Sequence, residues 1–172
     1  MSHIHARKFV SADPEKCVGC SVCEYICSFE KEKAFNPLKS RIRVVRLDTV
    51  VNMSLACRLC EDAPCVAACP RDALKQSEET GIILVDEDKC NGCGWCIEAC
   101  DYGAIMLHPD KKVVFVCDTC DGNPKCVEWC PEKALDYITK DVLAQKSRIT
   151  AVKKLFQEVL RSSSSLISTR TA

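Results

Sequence analysis

Sixteen cysteines are the residues of this sequence best suited to chemistry, and they fall into four runs with none outside them. The runs are Cys17, Cys20, Cys23 and Cys27; Cys57, Cys60, Cys65 and Cys69; Cys90, Cys93, Cys96 and Cys100; and Cys117, Cys120, Cys126 and Cys130. The first and third runs have successive gaps of two, two and three residues, a spacing that wraps a cubane [4Fe–4S] cluster. The pattern therefore predicts iron–sulfur chemistry, which moves single electrons.

The spacing also indicates how the ligands of each cluster are shared. Two-residue gaps let one loop supply three thiolates, while the fourth cysteine of a run is directed elsewhere. In two-cluster ferredoxins that fourth cysteine binds the neighbouring cluster. Four runs thus predict two ferredoxin-like modules and four [4Fe–4S] clusters, with all sixteen cysteines as iron ligands. The spacing leaves open whether adjacent runs or nested runs exchange their fourth ligands.

Two other interpretations of so many cysteines fit the sequence less well. Disulfide frameworks belong to secreted proteins, but the N-terminal residues lack the apolar segment and the twin arginine of an export signal. Structural zinc sites use cysteine pairs rather than four-cysteine runs. No apolar run approaches membrane-spanning length. We therefore expect a cytoplasmic protein that does not insert into a membrane. A zinc-stapled interaction module is the alternative to the iron–sulfur interpretation.

The remaining residues argue against catalysis and against nucleic-acid binding. The formal net charge is 0, but sixteen thiolates and four cluster cores would leave the loaded protein with roughly eight negative charges. We find no phosphate-binding loop and no nucleophile–base pairing. The three histidines lie outside the runs, His3 and His5 in a terminus expected to be solvated and His108 in a turn. The sequence predicts a non-catalytic protein that carries electrons for an oxidoreductase.

Short elements must position the cysteines. Strands are expected at residues 9–10, 41–47, 72–75, 81–85, 102–107, 113–116 and 134–138, and a helix over 21–29 would place Cys23 and Cys27 on one side. After three of the runs the same phrase recurs, as Asp72-Ala73-Leu74, Gly103-Ala104-Ile105 and Lys133-Ala134-Leu135. This internal repeat predicts an α+β fold in which strands, one-turn helices and cluster loops are duplicated.

Beyond residue 138 the character of the sequence changes. Apolar residues recur at helical spacing among Lys, Arg and Gln, which predicts an amphipathic helix over 141–160 followed by a mobile tail over 162–172. The helix would either pack on its own cluster region or dock on a partner. Only 6% of the residues are aromatic, so the core is thin and metal binding is expected to be coupled to folding.

Residues 9–138 resemble the four-cluster, ferredoxin-type electron-transfer (beta) subunits of the DMSO reductase family and their relatives. These include the iron–sulfur subunits of formate dehydrogenases, hydrogenases, CO-dehydrogenase-linked carriers and tungsten aldehyde oxidoreductases. The most specific segment runs from Cys57 to Pro70, with Ala63-Pro64 where the family usually has Pro-Pro. Asp101 stands where the family usually has Pro after the third run. The short gap over 121–125 is typical of compact, soluble relatives.

The resemblance implies nested exchange, with module A built from the first and fourth runs (17–27 and 117–130) and module B from the second and third (57–69 and 90–100). The implied ligand sets are Cys17, Cys20, Cys23 and Cys130 for cluster 1; Cys57, Cys60, Cys65 and Cys100 for cluster 2; Cys90, Cys93, Cys96 and Cys69 for cluster 3; and Cys117, Cys120, Cys126 and Cys27 for cluster 4.

The implied function is electron relay between a larger catalytic subunit, of molybdenum or tungsten type, and a soluble carrier or further redox subunit. A freestanding polyferredoxin that shuttles between enzymes is the alternative. Trp95 and Trp129, which lie within runs, are expected to shield clusters from water. Arg58, Arg71 and Lys125 either raise cluster potentials or are simply solvated.

Overall fold

The computed structural model describes residues 7–48 and 51–168, with side chains as far as residue 158. The strands are β1 (Lys8–Ala12), β2 (Arg43–Leu47), β3 (Val51–Leu55), β4 (Leu74–Gln76), β5 (Ile83–Val85), β6 (Ile105–Leu107), β7 (Val114–Val116) and β8 (Leu135–Thr139). The helices are α1 (Val22–Glu32), α2 (Pro64–Ala67), α3 (Trp95–Glu98), α4 (Lys125–Glu128) and α5 (Lys140–Ser168). Short strand pairs alternating with helices confirm the predicted α+β class.

All the strands pair in twos. β2 pairs with β3, β4 with β5 and β6 with β7 as antiparallel hairpins. The fourth pair joins β1 to β8, which lie at opposite ends of the cysteine-rich region in sequence. The Asp13 N–H extends this contact by donating to the Ala134 carbonyl at 2.7 Å. Because the first run follows β1 and the fourth run precedes β8, the pairing brings these two runs to the same end of the fold.

The helices repeat this arrangement. α1 of the first run contacts α4 of the fourth, and α2 of the second run contacts α3 of the third. In every run the third cysteine is the second residue of its helix. The helix is a single turn in three runs, whereas α1 has 11 residues and carries Cys27 within it.

Two groups of buried residues form the core, and cysteines contribute to both. One group surrounds the second and third runs and consists of Ala63, Cys65, Ala73, Leu74, Ile83, Cys96, Ile105, Val114 and Val116. The other surrounds the first and fourth runs and consists of Val10, Cys23, Cys27, Ile42, Ala56, Cys117, Cys126 and Leu135. Thiols and small alanines occupy core positions that large apolar side chains fill in ordinary domains.

The predicted strands differ from the observed ones by one to three residues at their ends, and larger differences concern β3, α1 and α5. β3 was not predicted, because residues 48–56 were assigned only to a connection. α1 continues to Glu32 through residues expected to be a loop, and it ends where Lys33 adopts φ 53° and donates to the Phe29 carbonyl. α5 begins one residue earlier than expected and includes residues 162–168 of the predicted tail. The predicted tail begins with serines. They can continue the helix because serine costs it only about a few tenths of a kcal/mol per residue, as other ordinary residues do.

The chain divides into two compact units after Ile138. Residues 169–172 of the predicted tail, and His3 and His5 of the predicted solvated terminus, lie outside the described residues. No helix in the described part of the chain is long and apolar enough to cross a membrane.

Candidate metal centres

Twelve of the cysteines line three cavities, four to each, and we call these cavities centres 1, 2 and 3. Centre 1 is lined by Cys17, Cys20, Cys23 and Cys130. Centre 2 is lined by Cys57, Cys60, Cys65 and Cys100. Centre 3 is lined by Cys69, Cys90, Cys93 and Cys96. Each centre takes three cysteines from one run and one from another.

The other four cysteines also lie together, in a group that we call centre 4. Cys27, Cys117 and Cys126 pack in one buried cluster. Cys120 is close enough to Cys27 and Cys126 for its charge to raise the pKa of both thiols. This group draws three cysteines from the fourth run and Cys27 from the first.

The donor set of each centre fits an iron–sulfur cluster. Each centre brings together four cysteines, and four soft thiolates are the ligands that cubane clusters use. All sixteen cysteines are free of disulfide bonds. Among the residues that the structure describes, no three Cys, His, Asp or Glu side chains lie close enough to hold a single metal ion.

A shared backbone conformation shapes the loop between the first two cysteines of every run. The residue before the second cysteine has a positive φ in all four cases, at Gly19 (70°), Leu59 (48°), Gly92 (70°) and Thr119 (57°). A side chain in this left-handed region costs about 1–2 kcal/mol. Two runs have glycine at this position, which avoids the cost, and two do not. All four loops therefore share one backbone conformation although the residue type differs.

The repeated phrase after three of the runs has a structural explanation. Its alanine N–H donates to the sulfur of the fourth cysteine, at 3.3 Å for Ala73 and Cys69, 3.4 Å for Ala104 and Cys100, and 3.3 Å for Ala134 and Cys130. The residue before each alanine has a positive φ: Asp72, Gly103 and Lys133. In the first run, which lacks the phrase, the Arg41 N–H donates to Cys27 Sγ at 3.2 Å. Every fourth cysteine therefore accepts a backbone hydrogen bond.

Burial keeps several of the thiols protonated when no metal is present. Loss of hydration raises the pKa of Cys23, Cys57 and Cys96 to about 11 and that of Cys117 to about 12. Burial also raises the pKa of Cys126. These side chains are neutral thiols at pH 7, and iron must displace their protons because the metal ligand is the thiolate.

Sequence reasoning missed Ser54. Its Oγ lies 3.5 Å from Cys23 Sγ and 3.8 Å from Cys17 Sγ, and its side chain lines centre 1. Ser54 lies on β3, so it could not be placed while that strand was unrecognised. The signal was the alternation of apolar and polar residues over Val51–Leu55, opposite the basic strand β2.

The three cations singled out from the sequence have different surroundings. Arg58 lines centre 2, with its guanidinium carbon 4.5 Å from the ring centroid of Phe9 and 5.4 Å from that of Tyr102. Arg71 lines centre 3 and donates to the Lys89 carbonyl at 2.5 Å. Lys125 instead forms an ion pair with Glu128 at 2.9 Å, which offsets its charge.

The two tryptophans are exposed, whereas the side chain of His108 is buried. Trp95 is 62% exposed and Trp129 is 60% exposed. Their shielding of the clusters stays a prediction. His108 does lie in the β6–β7 turn, but its side chain is buried. Its Nδ1 accepts from the Asp110 and Lys111 N–H groups, and its Nε2 lies 3.6 Å from a carboxylate oxygen of Glu32.

The chain matches a family model described as a 4Fe-4S dicluster domain over residues 49–140. It is 44% identical over 135 residues to the polyferredoxin-like subunit of an aliphatic sulfonate oxidoreductase from Pyrococcus furiosus, with 78% of each chain covered. It is 34% identical to the electron transport protein HydN of Escherichia coli, covering 84% of this chain and 98% of HydN. It is also 39% identical to subunit beta of the NADH-dependent phenylglyoxylate dehydrogenase of Aromatoleum evansii, covering 76% of this chain and 30% of that subunit.

Proposed function

Since the chain belongs to the 4Fe-4S dicluster family, we propose that it is a non-catalytic electron-transfer subunit with four [4Fe–4S] clusters, one at each centre. The observation that carries the proposal is that twelve cysteines line three cavities in sets of four, and the other four lie near one another at centre 4. Bound clusters of this type supply one-electron transfer. The chain itself binds them through thiolates, donates hydrogen bonds to the sulfurs and keeps part of each site dry.

We assign the ligands by nested exchange. Cys17, Cys20, Cys23 and Cys130 hold cluster 1, and Cys57, Cys60, Cys65 and Cys100 hold cluster 2. Cys90, Cys93, Cys96 and Cys69 hold cluster 3, and Cys117, Cys120, Cys126 and Cys27 hold cluster 4. The cavity linings, the β1–β8 pair and the α1–α4 and α2–α3 contacts support this assignment over exchange between adjacent runs.

The surface of the cysteine-rich region supports relay between two partners. Cys20 of centre 1 and Cys93 of centre 3 are exposed, whereas every ligand of centre 4 is buried or half-buried. Electron transfer between proteins requires a short distance between donor and acceptor, so centres 1 and 3 are the points of exchange with partners.

We infer that one partner is a catalytic oxidoreductase subunit, of molybdenum or tungsten type as the resemblance implies. The named relatives of this chain include subunits of a sulfonate oxidoreductase and of a phenylglyoxylate dehydrogenase. We place the protein in the cytoplasm, where cysteines stay reduced and available to iron.

Anaerobic purification from the native source tests the proposal. We expect about sixteen irons and matching sulfide per chain, together with co-purification of a larger redox subunit. Stoichiometric zinc in place of iron would contradict the cluster assignment and favour a zinc-stapled module. Elution of the iron-loaded chain alone, at the size of a monomer, would favour a freestanding shuttle.

A further inference from the structure

Ser54 is placed to interact with the sulfurs of one centre. The side chain is 6% exposed and lies on β3 opposite Val44 of β2, and both residues line centre 1. Its hydroxyl oxygen lies 3.5 Å from Cys23 Sγ and 3.8 Å from Cys17 Sγ. The β2–β3 hairpin therefore delivers one buried hydroxyl to two ligands of the same cluster.

The direction of this hydrogen bond follows from the chemistry of the loaded site. A thiol can either donate or accept, but an iron-bound thiolate has no proton and can only accept. The Ser54 O–H must therefore donate to sulfur once the cluster is present. Hydrogen bonds to charged acceptors are the stronger kind, particularly where water is excluded.

A donor at sulfur changes the balance between the two redox states. Reduction adds one electron to the cluster and its thiolates while no covalent bond is made or broken. The reduced form carries one more negative charge, so a hydroxyl proton aimed at the sulfurs stabilises it more than the oxidised form. Hydrogen bonds to the sulfurs are among the factors that set cluster potentials.

A second group acts on the same centre from the surface. The Arg46 guanidinium donates to the Gly19 carbonyl at 2.5 Å and to Ser21 Oγ at 2.8 Å. Gly19 lies between the first two ligands of centre 1, so Arg46 holds a positive charge against the loop that wraps it. Ser54 and Arg46 both favour the extra electron, and the exposed Cys20 gives that electron a route from a partner.

We propose that Ser54 is a positioning residue that raises the reduction potential of the cluster at centre 1 through its O–H···S hydrogen bond. The inference rests on the proposed function, because it requires a cluster held by Cys17, Cys20, Cys23 and Cys130. It makes centre 1, with its exposed ligand, an electron-accepting end of the relay.

The test compares Ser54→Val with Ser54→Thr, which have the same shape and differ only in the hydroxyl. β-Branched residues suit this strand position. Each protein is purified anaerobically, its iron is counted, and its clusters are titrated against dithionite while EPR spectra are recorded. We expect one cluster of the valine variant to shift to a more negative potential, with the other three unchanged, and the threonine variant to keep the native value.

One further measurement and two further variants keep the test decisive. In deuterated water, one cluster of the native protein and of the threonine variant should show a coupling to the hydroxyl deuteron. The cluster whose potential shifts in the valine variant should lack this coupling. Ser54→Ala, which is smaller than the native residue, serves the same purpose if the branched side chain reduces loading. Val44 lines the same cavity but contributes no polar side-chain group, so Val44→Ala should leave the deuteron coupling in place.

The outcomes separate this inference from the proposed function. A native protein with far fewer than sixteen irons would overturn the four-cluster assignment itself. A native protein with about sixteen irons, whose four potentials do not change in the valine and alanine variants, would overturn the role of Ser54 alone. Equal shifts in the valine and threonine variants would also overturn it, because the effect would then come from shape.

Discussion

Single residues show how much of each centre is made by groups other than cysteine. The alanine N–H groups that reach Cys69, Cys100 and Cys130 need a preceding residue in the left-handed region, so the phrase that repeats in the sequence preserves a hydrogen bond. The alanines themselves are almost fully buried. Each alanine also lines a centre, so a larger side chain there would press against the cluster site, which explains the small residue in the phrase.

Paired cysteine substitutions should reveal which runs share a cluster. If exchange is nested, Cys27→Ala and Cys120→Ala each destroy cluster 4, so the double variant loses about four irons, the same as either single variant. Combining Cys27→Ala with Cys60→Ala removes two clusters and loses about eight irons. Iron analysis of anaerobically purified proteins measures both. The reverse result, with about four irons lost for Cys27 with Cys60, would indicate exchange between adjacent runs.

Two glycines with positive φ should respond differently to alanine. A Cβ at Gly92 would lie 3.0 Å from the Lys112 carbonyl oxygen, whereas a Cβ at Gly103 would meet nothing within 4 Å. Gly103→Ala should therefore lower the free energy of unfolding by about 1 kcal/mol, the cost of the backbone conformation alone. Gly92→Ala should cost more because the backbone must also move.

These two variants are compared by anaerobic unfolding in guanidinium chloride. The quantity measured is the denaturant concentration at which half of the cluster absorbance is lost. The matched position in the other runs supports the expectation for Gly103, since Asp72 and Lys133 adopt the same conformation with side chains present. Equal midpoints for the two alanine variants would show that the contact with the Lys112 carbonyl carries no cost.

At the scale of elements, the chain joins its first and fourth runs through a small set of cross-connections. Arg41, which precedes β2, donates its backbone N–H to Cys27 Sγ and its guanidinium to Asp118 at 2.6 Å. Lys31 of α1 pairs with the same carboxylate at 2.8 Å. One aspartate beside Cys117 therefore ties α1 and the start of β2 to the loop of the fourth run.

Removing the charge of the Asp118 carboxylate should weaken the contacts of α1 and the start of β2 with the loop of the fourth run. Asp118→Asn leaves Lys31 and Arg41 without their shared anion, and the loss of charged hydrogen bonds should lower the free energy of unfolding by about 2 kcal/mol. Anaerobic guanidinium unfolding followed by circular dichroism measures the change. Asp121→Asn, an exposed aspartate in the same loop, is the matched control and should change stability by less than about 0.5 kcal/mol. Similar losses in both variants would assign the effect to loop charge in general.

At the scale of the whole molecule, the core and the metal sites occupy the same space. Cys65 and Cys96 belong to one buried group, and Cys23, Cys27, Cys117 and Cys126 belong to the other. The remaining members of these two groups are three alanines and eight Val, Ile or Leu residues, and neither group contains an aromatic side chain. Iron and sulfide should therefore replace much of the apolar packing that holds an ordinary domain of this size.

Iron removal should unfold the cysteine-rich unit. Oxidation followed by chelation should abolish hydrogen-exchange protection in β4–β7 and in the β1–β8 pair, because both buried groups lose the clusters around which they pack. Reconstitution with iron, sulfide and a thiol should restore the protection. An iron-free protein that keeps native protection in both regions would show that the thiols and apolar residues suffice to hold the fold.

The sequence by itself determined the chemistry and the class of fold. Ligand spacing is local, because three cysteines within about seven residues can wrap a cluster only in a tight loop. The repeated phrases and the short alternating strands are local as well, so the β4–β5 and β6–β7 hairpins and the one-turn helices could be predicted. The family match confirms the 4Fe-4S chemistry that the spacing indicated.

Only the tertiary structure decided which distant residues meet. The proximity of Cys27 to the fourth run, and of Cys130 to the first, follows from the β1–β8 pair and from α1 packing on α4. Ser54 reaches two sulfurs because β3 pairs with β2 in one register, and Arg58 lies between rings from separate segments. These contacts join residues far apart in the chain, so no local pattern of residue types or spacing could predict them.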